Sequence, residues 1–439
     1  MKPNSEDKYL PIKQALKKLV DQTLQTKRFE FLHFYNQMED VFTKTGFREK
    51  QQSGVKNILV TRLDAIGDFV LTTGFIRELR LNYPSARITL VVSNLVYPIA
   101  ELCPYVNKVV AFDSKFNTSD VVMMINRVTA FAAEELWTNH FDMAFSVQWG
   151  SENLLSLIMG YLSGARERIG YGYKIELMHF DQLPPKDKDP NYLLLTKPVM
   201  NPKELIHEAD KHFYPLESLG RYVGSKNMEL WYSAEDFQNA RRFLSNIGSA
   251  VMKIVVGIGA GGGSRKYSVD SYISAFKSII KSTNKEVAFI VIGGKAEAED
   301  AEKFQNSLPY DCVLNLVEKT TLRETMAVIA QADMFIGNDT GVMHMAAAAK
   351  VPIIAVYRQP KDKDHVVPGV FSEFERFAPW QALAVVLRPE HTLGDCKNAM
   401  VYGGCKEPNA HCINQVKPEE VVEAFEKLNY IISRGKHGQ

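Results

Sequence analysis

The sequence predicts an α/β fold in which two doubly wound domains face each other across a cleft, preceded by a helical extension. Three observations carry the expectation. Short apolar runs alternate with helical stretches from residue 56 onward; the alternation breaks at a linker and restarts after a helix near Ala234–Leu244; and residues 1–52 show helical spacing only. Strands that are apolar throughout belong to parallel sheets covered on both faces, and strand–helix alternation is how such sheets are wound.

The extension, residues 1–54, comes first. Leu16, Leu19, Val20 and Leu24 recur near helical spacing, and Phe29, Phe31, Leu32, Phe34, Tyr35 and Phe42 follow among lysines and arginines. Such a segment either touches a membrane surface or partner, or packs as a helical pair on the main body. Acids are interleaved with the bases and no basic face is sustained, so packing is the expectation. Gly46 and the polar run to Gly54 mark the way out.

The first domain, residues 55–228, has strand-like runs at Ile58–Val60, Ile88–Val92, Val109–Phe112 and Met143–Val147. Helices are expected at Phe69–Leu81, at Val121–Trp137 after the cap signal Asn117-Thr118-Ser119, and at Leu154–Leu162. Residues 172–202, rich in Pro, Lys and Asp, read as irregular, and a helix over 203–220 ends at Gly220. The second domain, residues 229–416, places strands at Ile254–Ile258, Val287–Ile292, Val313–Leu316, Met334–Ile336 and Ile353–Tyr357. Its helices are expected near Tyr272–Lys281, Ala298–Ser307, Arg323–Ala330 and Val342–Ala349. A last helix from Pro418, within 417–439, is expected to pack back towards the N-terminal domain. Two such series imply Rossmann-like halves with ligands bound outside the strand ends.

Composition narrows the function classes. Among 439 residues, 52 basic and 51 acidic side chains leave a net charge of +1, which gives no sign of nucleic-acid binding. No apolar run approaches a membrane span, and the first residues lack the apolar core of a signal peptide, so a soluble cytoplasmic protein is expected. The five cysteines are an odd count for a disulfide framework. Cys103 and Cys312 read as packing residues; Cys396, Cys405 and Cys412, even with His391 or His411, match no standard zinc spacing and read as reduced thiols.

Three stretches carry chemistry. The run Val55 to Phe69 is a strand, a turn permitted by Gly67, and a carboxylate, Asp68, at the strand's carboxyl end. Position leaves Asp68 two roles, a reacting group or a helix N-cap. The run Phe335 to Ala348 leads a strand into Asp339-Thr340-Gly341 and an alanine-rich helix, whose first N–H groups and dipole form an anion site; His344 lies one turn in. Singly, Asp339 reads as an N-cap and His344 as a core histidine; as a set they favour the anion site. The glycine turn Gly257 to Gly263 leads to Arg265 and Lys266, cations suited to a diphosphate, though it is no P-loop because no Gly-Lys-Ser/Thr follows.

Arg62-x-Asp64-x-x-Gly67-Asp68 followed by Asp339-Thr-Gly-x-x-His344 resembles glycosyltransferase family 9, which contains the lipopolysaccharide core heptosyltransferases. The likeness covers roughly residues 55–430 and includes Gly259-Ala260, Gly293-Gly294-x-x-Glu297, Thr321-Leu322 and the late cysteines. The resemblance implies the two-domain GT-B architecture and transfer with inversion, without a catalytic metal or cofactor. By the same resemblance Asp68 is the base that deprotonates the acceptor hydroxyl. Asp339, Thr340, Gly341 and His344 hold the donor's nucleotide diphosphate with Lys266, Gly259 and Gly261 in the donor loop, and Glu297 contacts the nucleoside. Arg62, Asp64 and Gly67 support the acceptor loop. The implied donor is a nucleotide sugar, ADP-linked, and the acceptor a glycan or glycolipid at the inner face of the membrane. The chain departs from the family at Gly261 and Gly262, where hydroxyl residues are common, at Tyr267-Ser268 in place of Trp-Pro, and at Glu318 in place of a glycine. Residues 1–52 and 172–202 have no clear counterpart.

Two other classes compete. A dinucleotide-dependent oxidoreductase would need an acidic residue after the strand ending at Ile292, where Gly293-Gly294-Lys295 stands instead. A non-catalytic nucleotide-sugar-binding protein would bind a donor without transferring it.

Overall fold

The structure, a computed structural model, describes residues 9–26, 31–48, 54–116, 120–148, 153–171, 190–199, 206–249, 251–283, 286–362, 373–394 and 411–436. Among the described residues, twelve strands form two sheets. The first holds β1 (Asn57–Arg62), β2 (Arg87–Ser93), β3 (Lys108–Phe112), β4 (Met143–Ser146), β5 (Glu167–Tyr171) and β6 (Lys197–Val199) in the order β3-β2-β1-β4-β5-β6. The second holds β7 (Met252–Gly257), β8 (Val287–Ile292), β9 (Val313–Asn315), β10 (Met334–Asn338), β11 (Ile353–Val356) and β12 (Ala384–Leu387) in the order β12-β11-β10-β7-β8-β9. All pairings are parallel. Both orders are the doubly wound one, with the winding direction reversing between β1 and β4 and between β7 and β10. Ligands of such sheets bind outside the strands' carboxyl ends at that reversal.

The expected α/β class with two parallel sheets is thus present. The chain divides into two compact units: one comprises Met1–Ala65, Phe75–Leu205 and Asp210–Lys226, the other Ile66–Gly74, Ile206–Ala209 and Asn227–Gln439. The turn of helix that follows β1 therefore belongs with the second sheet. Within that unit Trp231 meets Phe69 edge to face at 6.0 Å, and the Glu229 N–H donates to the Thr73 hydroxyl at 2.9 Å.

The extension folds as helices Leu10–Thr26 and Phe31–Lys44 and is built into the first unit. Ile12, Leu16, Leu19, Phe34, Met38 and Phe42 are buried in one core with Leu59, Val91 and helix Leu154–Leu162. Each such side chain contributes about 1.5–3 kcal/mol on full burial. Polar groups fix the register: the Tyr9 hydroxyl donates to the Trp137 carbonyl at 2.9 Å, and the Trp137 indole N–H to the Leu162 carbonyl at 2.7 Å. The Arg48 guanidinium lies over the Phe42 and Tyr161 rings, 4.2 and 4.6 Å from their centroids, and pairs with Glu39. Gly164, at φ +81°, completes the seat of Phe47, since a Cβ there would lie 2.2 Å from the Phe47 ring.

Several expectations are corrected. The helix that begins at Val121 is capped by Asp120, whose carboxylate accepts from the Met123 N–H at 2.9 Å, while Asn117, Thr118 and Ser119 lie outside the described residues. It is α-helical only to Phe131 and continues as a π-helical turn over Ala132–Leu136. Part of the stretch read as irregular is regular: Pro190–Leu193 is a helical turn and β6 follows. The buried face of the last helix, Pro418–Lys436, includes Val421, Ala424, Phe425 and Leu428, which lie in the second unit's core. Glu318, the departure expected at a position where glycine is common, has the left-handed backbone (φ +59°) that glycine accepts without cost, and its N–H donates to the Gly293 carbonyl at 3.1 Å.

Candidate active site

β1 delivers Arg62 to the carboxyl edge of the first sheet. The side chain is buried, its Nε 2.8 Å from Asp64 Oδ1 and its Nη1 3.1 Å from His212 Nε2. Arginine only donates, so His212 accepts at Nε2 and carries its proton on Nδ1. Asp64 is tied down through its backbone as well, its carbonyl accepting from the Ser93 hydroxyl at 3.1 Å. Arg62 and Asp64 therefore brace the turn. His212, from a distant helix, completes the brace, and no local sequence signal marks it.

After the turn, Ala65 is the N-cap of helix Ile66–Asn82, and no side chain caps it. Asp68 is the third helical residue, so the N-cap role does not apply to it. The second motif is corrected in the same way: Thr340, not Asp339, is the N-cap of helix Gly341–Ala348, and its side chain makes no capping bond. The two helix starts meet. A Cβ on Gly67 would lie 2.9 Å from His344 Cδ2 and 3.3 Å from Gly341 Cα, and a Cβ on Gly341 would lie 3.2 Å from the Gly67 nitrogen. Two glycines thus bring two first turns together, each with N–H groups no cap side chain occupies and each the positive end of a dipole. Asp339 is buried at the mouth of the second helix.

His344 is buried, and burial, aided by His207, pushes its pKa down to about 3. It is therefore a neutral ring at physiological pH and not the cation an anion would draw. Its Nδ1 has no hydrogen-bond partner among the described residues. His207 accepts the Ala209 N–H at Nδ1 (3.1 Å), pairs its Nε2 with the Ala378 carbonyl (2.7 Å), and stacks on Trp380 with ring centroids 4.5 Å apart. Beside it the buried Glu208 takes an ion pair from Arg376 at 2.7 Å.

The glycine loop after β7 is organised by Asn338, a fully buried residue that sequence reading passed over. Its Nδ2 donates to the carbonyls of Ile258 and Gly259, both at 3.0 Å, while its Oδ1 accepts from the Tyr272 hydroxyl at 2.9 Å and the Tyr267 N–H at 3.3 Å. The signal was its place, between an apolar strand and Asp339. Gly259 admits Glu297: a Cβ there would lie 3.0 Å from the Glu297 carboxyl carbon, whose Oε2 accepts from the Gly294 N–H at 2.9 Å. Gly261 likewise leaves room for Arg265, a Cβ there falling 2.6 Å from Nη2. The Lys266 ammonium is paired with Asp300, so its charge is partly spent inside the fold. Arg358, after β11, donates from Nη1 to the Ser264 hydroxyl at 2.8 Å and so joins this loop; neither it nor Asp300 was expected.

The cysteine cluster gives little more. Cys412 is buried with its Sγ 3.8 Å from His411 Nε2, and Cys396 and Cys405 lie outside the described residues. Among the described residues no group of three His, Cys, Asp or Glu side chains is placed to hold a metal. Among them, too, no helix is long and apolar enough to cross a membrane.

Residues 228–388 match the model of glycosyltransferase family 9 (heptosyltransferase). A lipopolysaccharide core heptosyltransferase of Haemophilus influenzae is 21% identical over 303 residues, 69% of this chain and 79% of that protein. A family 9 glycosyl transferase from Veillonella parvula superposes with a TM-score of 0.64 at 20% identity, covering 87% of this chain and 99% of that one. The ADP-heptose lipopolysaccharide heptosyltransferase II of Escherichia coli does so with a TM-score of 0.59 at 17% identity, over 87% and 99% of the two chains.

Proposed function

We propose that the chain, whose residues 228–388 match the model of glycosyltransferase family 9 (heptosyltransferase), is a glycosyltransferase that moves a heptose from ADP-heptose, with inversion, to a lipopolysaccharide-core or related surface glycan. The observation that carries this reading is the abutment of Gly67 on His344 and Gly341. It brings the turn bearing Asp68 to the start of the helix suited to a diphosphate.

In the proposed reaction the acceptor hydroxyl attacks the anomeric carbon from the face opposite the nucleotide. Its proton passes to Asp68, the new C–O bond forms, and the bond to the β-phosphate oxygen breaks, so ADP leaves with the electron pair. The growing charge on ADP is met by backbone N–H groups of Gly341 and its neighbours and by Lys266, released from Asp300. These groups supply the stabilisation that a metal ion gives in other transferases. His344, being neutral, serves as a hydrogen-bonding partner and not as a counter-charge. Asp339, a carboxylate, is suited to a sugar hydroxyl, and Glu297 to the ribose. The acceptor's glycolipid character, and work at the inner face of the membrane, belong to the same proposal.

Nucleotide release from ADP-heptose in the presence of a truncated core acceptor tests it. Asp68→Asn is expected to lower kcat by roughly 10²–10⁴-fold, the usual worth of a positioned base. Unchanged turnover in that variant would remove the base assignment, and a product retaining the donor's anomeric configuration would remove inversion. Loss of activity with a chelator, restored by a divalent ion, would show that a metal takes part.

A further inference from the structure

We propose that Asn338 is a positioning residue for donor binding: its buried side-chain amide closes the loop from Ile258 to Tyr267 and turns the N–H groups of Gly259 and Ala260 outward to the donor. The inference rests on the reading above that a nucleoside-diphosphate sugar binds the second unit. Asn338 is the last residue of β10 and is fully buried. Its Nδ2 donates to the carbonyls of Ile258 and Gly259, just after the chain leaves β7, both at 3.0 Å. Its Oδ1 accepts from the Tyr267 N–H at 3.3 Å, where the loop ends, and from the Tyr272 hydroxyl at 2.9 Å. Two hydrogens and two lone pairs are all that a side-chain amide offers, so every bonding position is filled. The flipped amide is excluded, because it would set an oxygen against two carbonyls, which only accept. Entry and exit of the loop are thus held by opposite ends of one planar group.

The consequence follows from the shape of the peptide unit. A trans peptide is planar, with its C=O and N–H pointing in opposite directions. The carbonyls of Ile258 and Gly259 share their peptide units with the N–H groups of Gly259 and Ala260. Drawing both carbonyls onto Asn338 therefore directs both N–H groups away from it, off the buried side of the loop. Among the described residues neither N–H has a hydrogen-bond partner. Unpaired backbone donors presented in this way suit an anionic oxygen. The exit of the loop is fixed from further back. Tyr267 is fully buried, its hydroxyl donates to the Val416 carbonyl at 2.8 Å, and its ring meets that of Tyr272 edge to face with centroids 4.8 Å apart. The amide thus has a rigid seat, and donors held in place before the ligand arrives cost no reorganisation on binding.

Calorimetric titration of the full chain with ADP, GDP, UDP and CDP identifies the nucleoside diphosphate that binds. The same titration is then run on Asn338→Asp and Tyr272→Phe, with circular dichroism as the check on folding. Asn338→Asp keeps the shape and the Oδ1 acceptor but sets an oxygen against the two carbonyls where Nδ2 stood; Tyr272→Phe removes one bond from the other end only. Asn338→Asp is expected to weaken nucleoside-diphosphate binding roughly ten- to hundredfold, the worth of a hydrogen bond to a charged group, while Tyr272→Phe changes it less. Hydrogen–deuterium exchange read by mass spectrometry at saturating nucleotide separates positioning from stability. Bound nucleotide should slow exchange in the peptide containing Gly259 and Ala260 in the parent and not in Asn338→Asp. The inference falls, and the transferase reading stands, if Asn338→Asp binds like the parent, if Tyr272→Phe weakens binding as much, or if bound nucleotide leaves exchange of the parent's loop unchanged. Should Asn338→Asp not fold, Asn338→Ala, which removes the same bonds without opposing oxygens, decides in its place by the same criteria. If the parent chain binds none of the four nucleotides, both the inference and the reading beneath it fail.

Discussion

Gly67 and His344 are packed so closely that a single methyl group on the glycine would lie 2.9 Å from the imidazole Cδ2. The glycine is needed here for space, since its φ is unremarkable, and the space is what lets two helix starts share one location.

Gly67→Ala is therefore expected to fold but to hold the Asp68 turn away from the helix start. A misplacement of about 1 Å at a reacting group costs on the order of a hundredfold in rate. Steady-state kinetics should show the loss mainly in kcat, with the thermal midpoint little changed; parent-like kcat would mean the abutment has no catalytic consequence.

His344 makes stability depend on pH. Its folded pKa is about 3 against an ordinary 6.5, so as the pH falls through 6.5 the unfolded chain gains a proton that the folded chain refuses. The stabilisation is complete above that value and is lost towards acid, by up to about 1.4 kcal/mol per pH unit from this one group. Urea midpoints measured between pH 7 and pH 5 should fall more steeply for the parent than for His344→Gln. Equal slopes would show that the ring titrates normally.

In the proposed reaction the Lys266–Asp300 pair competes with the donor for the lysine. Asp300→Asn is expected to tighten nucleoside-diphosphate binding a few-fold, and to do so only while Lys266 is present. A double-mutant cycle with Lys266→Ala measures this, because contacting residues couple where independent ones add. An effect of Asp300→Asn that survives in the Lys266→Ala background would mean that Asp300 acts on binding by another route.

Gly164→Ala tests how the extension is held. The new Cβ would strike the Phe47 ring, and φ of +81° is costly for any other residue, so a loss of about 2–4 kcal/mol is expected from strain and displaced packing together. Denaturant midpoints would report it; a shift below a few tenths would mean that Phe47 is easily reseated.

What the sequence conveyed depended on whether a residue's role was local. β8, Val-Ala-Phe-Ile-Val-Ile, is buried at every position and was read directly. β5 was missed because Arg168 and Glu167 break its apolar run. Arg168 is nevertheless internal, its guanidinium donating to the carbonyls of Leu194 and Ala165 at 2.7 and 2.8 Å, and burial lowers its pKa to about 10. The edge strands β6 and β12 are only three and four residues long, and β6 lies within the Pro-, Lys- and Asp-rich stretch that reads as irregular. The placement of Asp68 and of the Asp339–His344 run was legible because each sits where a strand turns into a helix. His212, Asp300 and Arg358 were not, since each arrives from a separate segment as a single residue and acquires its role only through tertiary contact.

The union of the extension with the first unit has a consequence for biosynthesis. Tyr9 is bonded to the carbonyl of a residue 128 positions later, and Phe47 needs Gly164. A ribosome adding roughly 5–20 residues per second therefore exposes the apolar faces of both first helices for several seconds before their partners exist. The two helices are made before the residues that bury much of their apolar faces. Contacts of such long sequence separation slow folding, so the nascent extension is the segment expected to engage a holding chaperone.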